Sequence, residues 1–211
     1  MGESDAAAAL TAQIDRQVIQ LFALVGDAVA GATHALLADD RAAAKALIAR
    51  EDEVDALYRE LERMVKDRLA QGVGSSQMLR YLVAVLGVLP ELERSGDLVE
   101  HVARRANQGI TSEMSARARG LVERMGEVAS EMWRMSADAY GDRTPDVAIR
   151  LDELDDEMDE LHRTFIAELA SGAMSIPVVI ELVLIGRFYE RLGDHAVNIA
   201  RHVPERVGRR W

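Results

Sequence analysis

Eight carboxylates in this sequence form four pairs in which the second acid follows the first by four residues. This spacing places both side chains on one face of an α-helix, one turn apart. Like charges at this spacing destabilise an isolated helix by a few tenths of a kcal/mol, so something cationic is expected to compensate them. The pairs are Glu51 with Asp55, Glu93 with Asp97, Asp155 with Asp159, and Glu190 with Asp194.

Two kinds of cation could compensate these pairs, and the residues alone leave both open. One is a bound metal ion, because hard divalent cations take several oxygen ligands. The other is the set of arginines near the pairs, which includes Arg94, Arg187, Arg191 and Arg201. A third interpretation needs no ligand at all, since acids on a polar helix face are usually plain solvated surface.

The acidic pairs belong to a sequence that occurs twice. The phrase Glu-Arg-x-Gly-Asp appears at residues 93–97 and again at residues 190–194. Acid-rich segments precede it in the same order, at residues 51–55 and 155–159. Two sequence motifs that recur in the same order indicate a tandem duplication.

Apolar residues at three- and four-residue spacing predict three helices in each repeat. We place the repeats at residues 1–108 and 109–211, with a kink at Pro90 and a turn-rich break at residues 140–145. No segment alternates with a period of two, so no sheet is expected. The fold class is all-α, with two pseudo-symmetric three-helix bundles. The expected helices span about residues 5–37, 42–70, 76–107, 112–140, 145–170 and 175–202.

A helical-wheel projection of the last helix places its acids away from the core. At 100° per residue, Leu192, Ala196 and Ile199 share one side of the helix. Glu190 and Asp194 lie on the opposite side, so a metal site built on them would be shallow and exposed to solvent.

The glycine and histidine residues near the acids allow more than one explanation. Gly96 and Gly193 lie inside helices, where Gly costs about 1 kcal/mol relative to Ala; either tight helix packing or close approach of a ligand would explain them. His101 could extend the carboxylate stripe or be a solvated helix residue. His195 and His202 are expected on the polar flank.

Composition restricts the classes of function. The chain has 36 acidic and 25 basic residues, a net charge of −11. This argues against a general nucleic-acid binder, whose affinity comes from neutralised phosphates, and suits docking on a basic partner. There is no cysteine for a disulfide or a thiolate metal site. No signal peptide is evident, and no apolar run approaches the ~20 residues that span a bilayer. We therefore expect a cytoplasmic protein.

No known catalytic constellation is present in the sequence. A ferritin-like di-iron oxidase would need Glu-x-x-His on two helices, and no Glu has a His three residues later. Walker A and Rossmann glycine-rich loops are absent, as are Gly-x-Ser-x-Gly and His-Glu-x-x-His. We predict that the protein is not an enzyme.

Residues 190–200, ERLGDHAVNIA, preceded by Arg-Phe-Tyr, resemble the PhoU family of phosphate-transport regulators. The resemblance covers nearly the whole chain, in both repeats. It is looser in the first repeat, where Ser95 stands in place of a bulky aliphatic residue and Leu98 and His101 replace the usual His and Asn.

The resemblance implies a regulator that acts through protein contacts on the cytoplasmic side of the high-affinity phosphate uptake system. It implies contact with the transporter ATPase and with a sensor histidine kinase, which keeps the phosphate-starvation response off, and it implies a homodimer. Some family members bind iron or other metal clusters through Glu/Asp-x-x-x-Asp motifs on their surface. Carried over to this chain, the ligands for iron, zinc or another divalent cation are Glu93, Asp97, Glu190 and Asp194, with Glu51, Asp55, Asp155 and Asp159 as second candidates.

The sequence thus predicts a cytoplasmic negative regulator of phosphate uptake and of phosphate-starvation signalling. Two alternatives stay open beside it. One is a helical structural adaptor whose acids bind no metal. The other is a metal-binding or metal-storage protein.

Overall fold

The structure is a computed structural model that describes residues 3–142 and 147–207. Within these ranges the chain is almost entirely helical and contains no strand. A short 3-10 helix, Ile110–Glu113, connects the two repeats. The six α-helices are α1 (Glu3–Ala38), α2 (Arg41–Ala70), α3 (Ser76–Ala106), α4 (Ala116–Asp142), α5 (Val147–Leu169) and α6 (Ile176–Val207).

The predicted all-α class is confirmed. Helices α1, α2 and α3 pack on one another, as do α4, α5 and α6. α3 is one helix through Pro90, and α6 extends further than expected, to Val207. The break predicted at residues 140–145 lies in large part outside the described residues. The boundary between the two repeats, placed between residues 108 and 109, stays a prediction.

Side chains that accept hydrogen bonds from free backbone N–H groups define where three of the helices begin. Asp40 Oδ1 accepts from the N–H groups of the second and third residues of α2, at 3.0 and 2.9 Å. Ser75 Oγ accepts from the Met78 N–H of α3 at 3.1 Å. Ser115 Oγ accepts from the Ala118 N–H of α4 at 3.0 Å. These caps satisfy backbone N–H groups of the first turn that have no partner within the helix.

The stretch Ala7–Ala38 of α1 has a length and composition that would suffice to cross a membrane, contrary to the expectation from the sequence. One side of this helix nevertheless packs in the protein core, where Ile14, Val18 and Leu21 are fully buried. A core helix of a soluble protein meets the same criterion. By itself the stretch is therefore weak evidence for a membrane segment.

Helices α3 and α6 pack antiparallel and join the two repeats. Glu91 of α3 lies beside His195 near the C-terminal part of α6. Further along, Arg105 Nε is 3.0 Å from Glu181 Oε2, and the Arg105 guanidinium lies 4.9 Å from the centre of the Phe188 ring. These contacts fix the relative direction of the two helices.

The Glu91–His195 pair is a buried polar contact at this joint. His195 is 5% exposed and its Nδ1 lies 2.5 Å from Glu91 Oε2. Burial lowers the pKa of His195, and the charge of Glu91 partly offsets that effect. The expectation that His195 lies on the polar flank was wrong, because α3 covers that side of α6. At the equivalent positions the other repeat carries Phe188 and Leu98, so the pair breaks the pseudo-symmetry.

Helices α1 and α4 approach each other closely where they cross. A Cβ at Gly126 would lie 2.4 Å from Thr33 Cγ2 and 2.6 Å from Thr33 Oγ1. The Thr33 hydroxyl donates to the Val29 carbonyl at 2.9 Å and lies 2.7 Å from the buried Tyr189 hydroxyl of α6. Glycine at position 126 of α4 thus makes room for the Thr33 side chain, whose hydroxyl joins α1 to α6.

We expect Gly126→Ala to lower the free energy of unfolding by about 1–3 kcal/mol, because the added methyl group forces Thr33 from its place. Gly120→Ala is the matched control, since Gly120 lies in the same helix with nothing within 4 Å of its Cβ position. This control should gain up to about 1 kcal/mol from helix propensity. Urea denaturation measures both variants. Equal stabilisation by the two substitutions would contradict the described crossing.

Candidate functional site: two carboxylate clusters

The structure brings the eight predicted ligands together as two groups of four, each formed by two neighbouring helices. Helices α2 and α3 provide the group in the first repeat, and α5 and α6 provide the group in the second. The first cluster consists of Glu51, Asp55, Glu93 and Asp97, and the second cluster of Asp155, Asp159, Glu190 and Asp194.

The glycine of each acidic phrase lets a facing helix approach. A Cβ at Gly96 would lie 3.1 Å from Val54 Cγ1 and 3.2 Å from Glu51 Oε1. A Cβ at Gly193 would lie 3.3 Å from Met132 Cε and Sδ of α4, and at an ordinary contact distance of 3.5 Å from Asp155 Oδ1 of α5. These distances support the helix-packing explanation of the glycines. They also show that a carboxylate of the facing helix packs against each glycine.

Electrostatic repulsion in the first cluster is concentrated on Glu51. Burial, followed by the charges of Asp97, Glu100, Asp55 and Glu93, raises the pKa of Glu51 to about 7. Burial also raises the pKa of Glu93 and that of Asp97. Glu51 Oε1 is buried and has no hydrogen-bond partner among the residues that the structure describes. The carboxylate of Glu51 is therefore held among four like charges.

In the second cluster, arginines offset part of the repulsion. Burial, followed by the charge of Asp194, raises the pKa of Asp155 and that of Glu190. Arg201 acts against the rise at Asp155. Arg187 acts against the rise at Glu190, with which it forms an ion pair. Even so, Glu190 Oε2 is buried and lacks a hydrogen-bond partner within residues 3–142 and 147–207.

The helical-wheel expectation for α6 is correct for one acid and wrong for the other. Leu192, Ala196 and Ile199 are buried and Asp194 is exposed, as expected. The side chain of Glu190 is only 16% exposed. It does not face open solvent, because α5 covers that side of α6.

The donor chemistry of both clusters fits a hard divalent cation, which prefers carboxylate oxygens. The partnerless buried oxygens of Glu51 and Glu190 are the atoms that such an ion would satisfy. The side chains do not enclose an ion, however: in the described ranges, no three Asp, Glu or His residues are grouped so that they could hold one. The metal assignment stays a prediction.

Two residues near the first cluster complete its surroundings. Glu100, which the sequence reasoning missed, adds to the negative charge around Glu51 and pairs with Arg104 at 2.6 Å. Its place three residues after Asp97 could have revealed it, because that spacing shares a helix face. His101 is exposed, and its charge lowers the pKa of Asp97.

Comparison with known proteins decides the family. The family model described as the PhoU domain matches residues 18–106 and 122–203. This chain belongs to the PhoU family. Both matched segments carry the acidic phrase, so the resemblance read from residues 190–200 is confirmed, and so is the tandem repeat.

Curated PhoU relatives and solved PhoU structures extend over nearly the whole chain. The phosphate-specific transport system accessory protein PhoU homologue of Caulobacter vibrioides is 30% identical over 90% of this chain and 84% of its own. Homologue 1 of Mycobacterium leprae is 29% identical over 90% of this chain and 87% of its own. The crystal structure of PhoU from Pseudomonas aeruginosa has a TM-score of 0.88 at 27% identity, covering 95% of this chain and 98% of its own. These matches support a role in the regulation of phosphate transport.

We expect Glu51→Gln to remove a pH-dependent destabilisation. The pKa of Glu51 in the folded protein, about 7, exceeds its ordinary value of 4.5. Between these values the folded state binds more protons than the unfolded state, so wild-type stability falls as pH rises. Because Glu51 is partly exposed, the expected gain of the variant over wild type at pH 7.5 is about 1–2 kcal/mol.

Denaturant unfolding in a chelator at pH 4 and pH 7.5 measures this difference. Glu53→Gln is the matched control, because Glu53 is exposed on the same helix. The free energies of unfolding of wild type and Glu51→Gln should be close at pH 4 and differ at pH 7.5. The difference between the control and wild type should be the same at both pH values. A constant gap between wild type and Glu51→Gln would contradict the raised pKa.

Proposed function

We propose that this protein is a cytoplasmic negative regulator of phosphate uptake and of the phosphate-starvation response. The observation that carries the proposal is PhoU family membership across both repeats. Relatives that match over nine-tenths of the chain are named accessory proteins of phosphate-specific transport systems. In this proposal the protein is a homodimer that contacts the transporter ATPase and a sensor histidine kinase.

The proposed action is contact and not catalysis. The exposed carboxylates of Asp97 and Asp194 lie on outer helix faces. His195, which follows Asp194 in sequence, is buried against α3 and pairs with Glu91. An imidazole buried in that place cannot act as a general base on a molecule bound at the exposed carboxylates. The net charge of −11 suits binding to a basic surface, because complementary charge speeds association and orients the partners.

A bound divalent cation, with iron and zinc among the candidates, is a second part of the proposal. The buried oxygens of Glu51 and Glu190 that lack hydrogen-bond partners favour it. The four acids of each cluster would have to draw together to hold the ion, because as they lie in the described ranges no three of them are grouped to do so. Its charge would relieve the repulsion between carboxylates and link α2 to α3 or α5 to α6. A metal-free adaptor, by contrast, would use the acids only as solvated surface.

Complementation of a strain that lacks this gene, and any second PhoU-family gene, tests the proposal. Phosphate uptake and alkaline phosphatase are measured in phosphate-replete cells with protein levels matched. We expect deletion to raise both activities and the wild-type gene to lower them again. A deletion strain with normal uptake and a silent starvation response would contradict the regulatory function.

Two quadruple variants in the same strain test the role of the clusters. The cluster variant is Glu93→Gln, Asp97→Asn, Glu190→Gln and Asp194→Asn, and we expect it to fail in repression. The control removes the same charge from exposed positions of α2 and α5, with Asp52→Asn, Glu53→Gln, Asp156→Asn and Glu160→Gln. We expect this control to repress. If both variants repress equally, the clusters are plain surface and the metal-free adaptor is correct.

A further inference from the structure

The outer side of α1 carries few charges for a helix that faces solvent. Between residues 17 and 38 the only acidic or basic side chains are those of Asp27 and His34. Only 39% of the 18-residue window that meets the criterion for a membrane helix is buried within the protomer, and Ile19 is 51% exposed. Helices with so apolar a composition are usually covered on all sides. The protomer alone leaves one side of α1 uncovered.

A groove lies beside Ile19 between α1 and α4. Its volume is about 340 Å³, and the aromatic side chains of Phe22 and Trp133 line it. Trp133 Nε1 donates to the Phe22 carbonyl at 3.0 Å, and the centres of the two rings lie 5.6 Å apart. A Cβ at Gly26 would lie 3.0 Å from Trp133 Cδ1. Close packing between the two helices therefore fixes the shape of the groove.

Side chains of opposite charge flank this groove. Asp27 lines it from α1, and Arg134 lines it from α4. Asp27 forms no ion pair within the described ranges. Arg134 pairs with Asp138 at 3.2 Å, but both of these side chains are more than half exposed, so the pair contributes little to stability. The groove thus presents one acid and one base that are accessible to a partner.

We propose that the outer face of α1 and α4 is the contact surface of a symmetric dimer, in which a second copy of this chain covers the groove. Ile19 of each copy lies over the groove of the other, and Asp27 of each copy pairs with Arg134 of the other. The proposal rests on the proposed function, which includes a homodimer, and it names the surface that forms that dimer.

The charge pattern and the size of this face favour a second copy as the occupant. A two-fold interface brings the same patch of both subunits together, so a patch that pairs with itself needs charges of both signs, as here. A stable dimer interface uses about 20–30 residues a side, and α1 and α4, with 36 and 27 residues, offer a face long enough to supply them.

A lipid surface fits the same face less well. Helices that lie on membranes carry an excess of Lys or Arg beside their apolar side. Here the apolar side of α1 contains Asp27, and the neighbouring helix α4 exposes Glu127 and Asp138 as well as Arg134. Charges of both signs at this density favour protein contact over contact with an anionic membrane.

Sedimentation velocity over a series of protein concentrations tests this surface. Ile19→Gln is compared with Ile180→Gln, because the two isoleucines are 51% and 55% exposed on different helices. We expect wild type to dimerise, and we expect Ile19→Gln to raise the dissociation constant of the dimer on the order of tenfold, since a two-fold interface contains the change twice. Ile180→Gln should leave the dissociation constant unchanged.

Charge reversal distinguishes contact between copies from contact within one copy. Asp27→Arg sets two bases opposite each other across the interface, and Arg134→Asp sets two acids there, so each variant alone should dimerise more weakly than wild type. An equimolar mixture of the two variants should dimerise like wild type, because both contacts of the mixed dimer again join opposite charges. Mixing would not restore a pair that forms within one copy. Circular dichroism checks that each variant keeps its helices.

Three results would overturn the proposal. The first is a wild type that is monomeric at every concentration tested. The second is a dimer that Ile19→Gln leaves intact, or that Ile180→Gln weakens to the same degree. The third is a mixture of the two charge variants that dimerises no better than either variant alone.

Repression of alkaline phosphatase by the wild-type gene separates failure of this surface from failure of the proposed function. If wild type represses and forms a dimer that Ile19→Gln does not weaken, only the proposed surface is wrong. If wild type represses as a monomer, the homodimer and the surface are wrong and the regulatory function stands. If wild type dimerises through this surface and does not repress, the surface stands and the regulatory function is wrong.

Discussion

The antiparallel packing of α3 on α6 is the interaction on which the rest of the structure depends. It joins the two repeats, and each of these helices carries one acidic phrase. One side of each helix is buried against the other, so the acids can face only the neighbouring helix or solvent. Gly96 then leaves room for the carboxylate of Glu51 from α2, and the carboxylate of Asp155 from α5 lies against Gly193. Both clusters are thus consequences of how the helices pack.

The two clusters are alike in geometry but differ in charge balance. Four neighbouring carboxylates raise the pKa of Glu51, whereas Arg187 and Arg201 offset part of the repulsion in the second cluster. A cation would therefore relieve more repulsion in the first repeat, although its sequence resembles the family less closely. The second repeat instead exposes large apolar side chains at the start of α6, among them Ile176 and Ile180. Duplication supplied one scaffold, and the halves have since acquired different surfaces.

Features set by local periodicity were predictable from the sequence. Helix positions follow from apolar spacing and caps such as Ser75, and the grouping of acids follows from the repeated four-residue spacing. Features set by neighbouring helices were not predictable. His195 looked like a polar-flank residue, and only the position of α3 makes it a buried partner of Glu91. Glu190 looked fully exposed until α5 covered it. A wheel projection likewise could not show that the start of α6 stays uncovered around Ile180.

The most direct test of whether helix packing has built two cation sites is a calorimetric titration with Mn²⁺. This cation prefers oxygen ligands, and the protein is first treated with a chelator. The variants are Glu51→Gln with Glu93→Gln in the first cluster and Asp155→Asn with Glu190→Gln in the second, and Asp52→Asn with Glu53→Gln is the control. The predicted result is one site per cluster: two in wild type and control, and one in each cluster variant. Absence of binding to wild type, or equal binding by all four proteins, would contradict it.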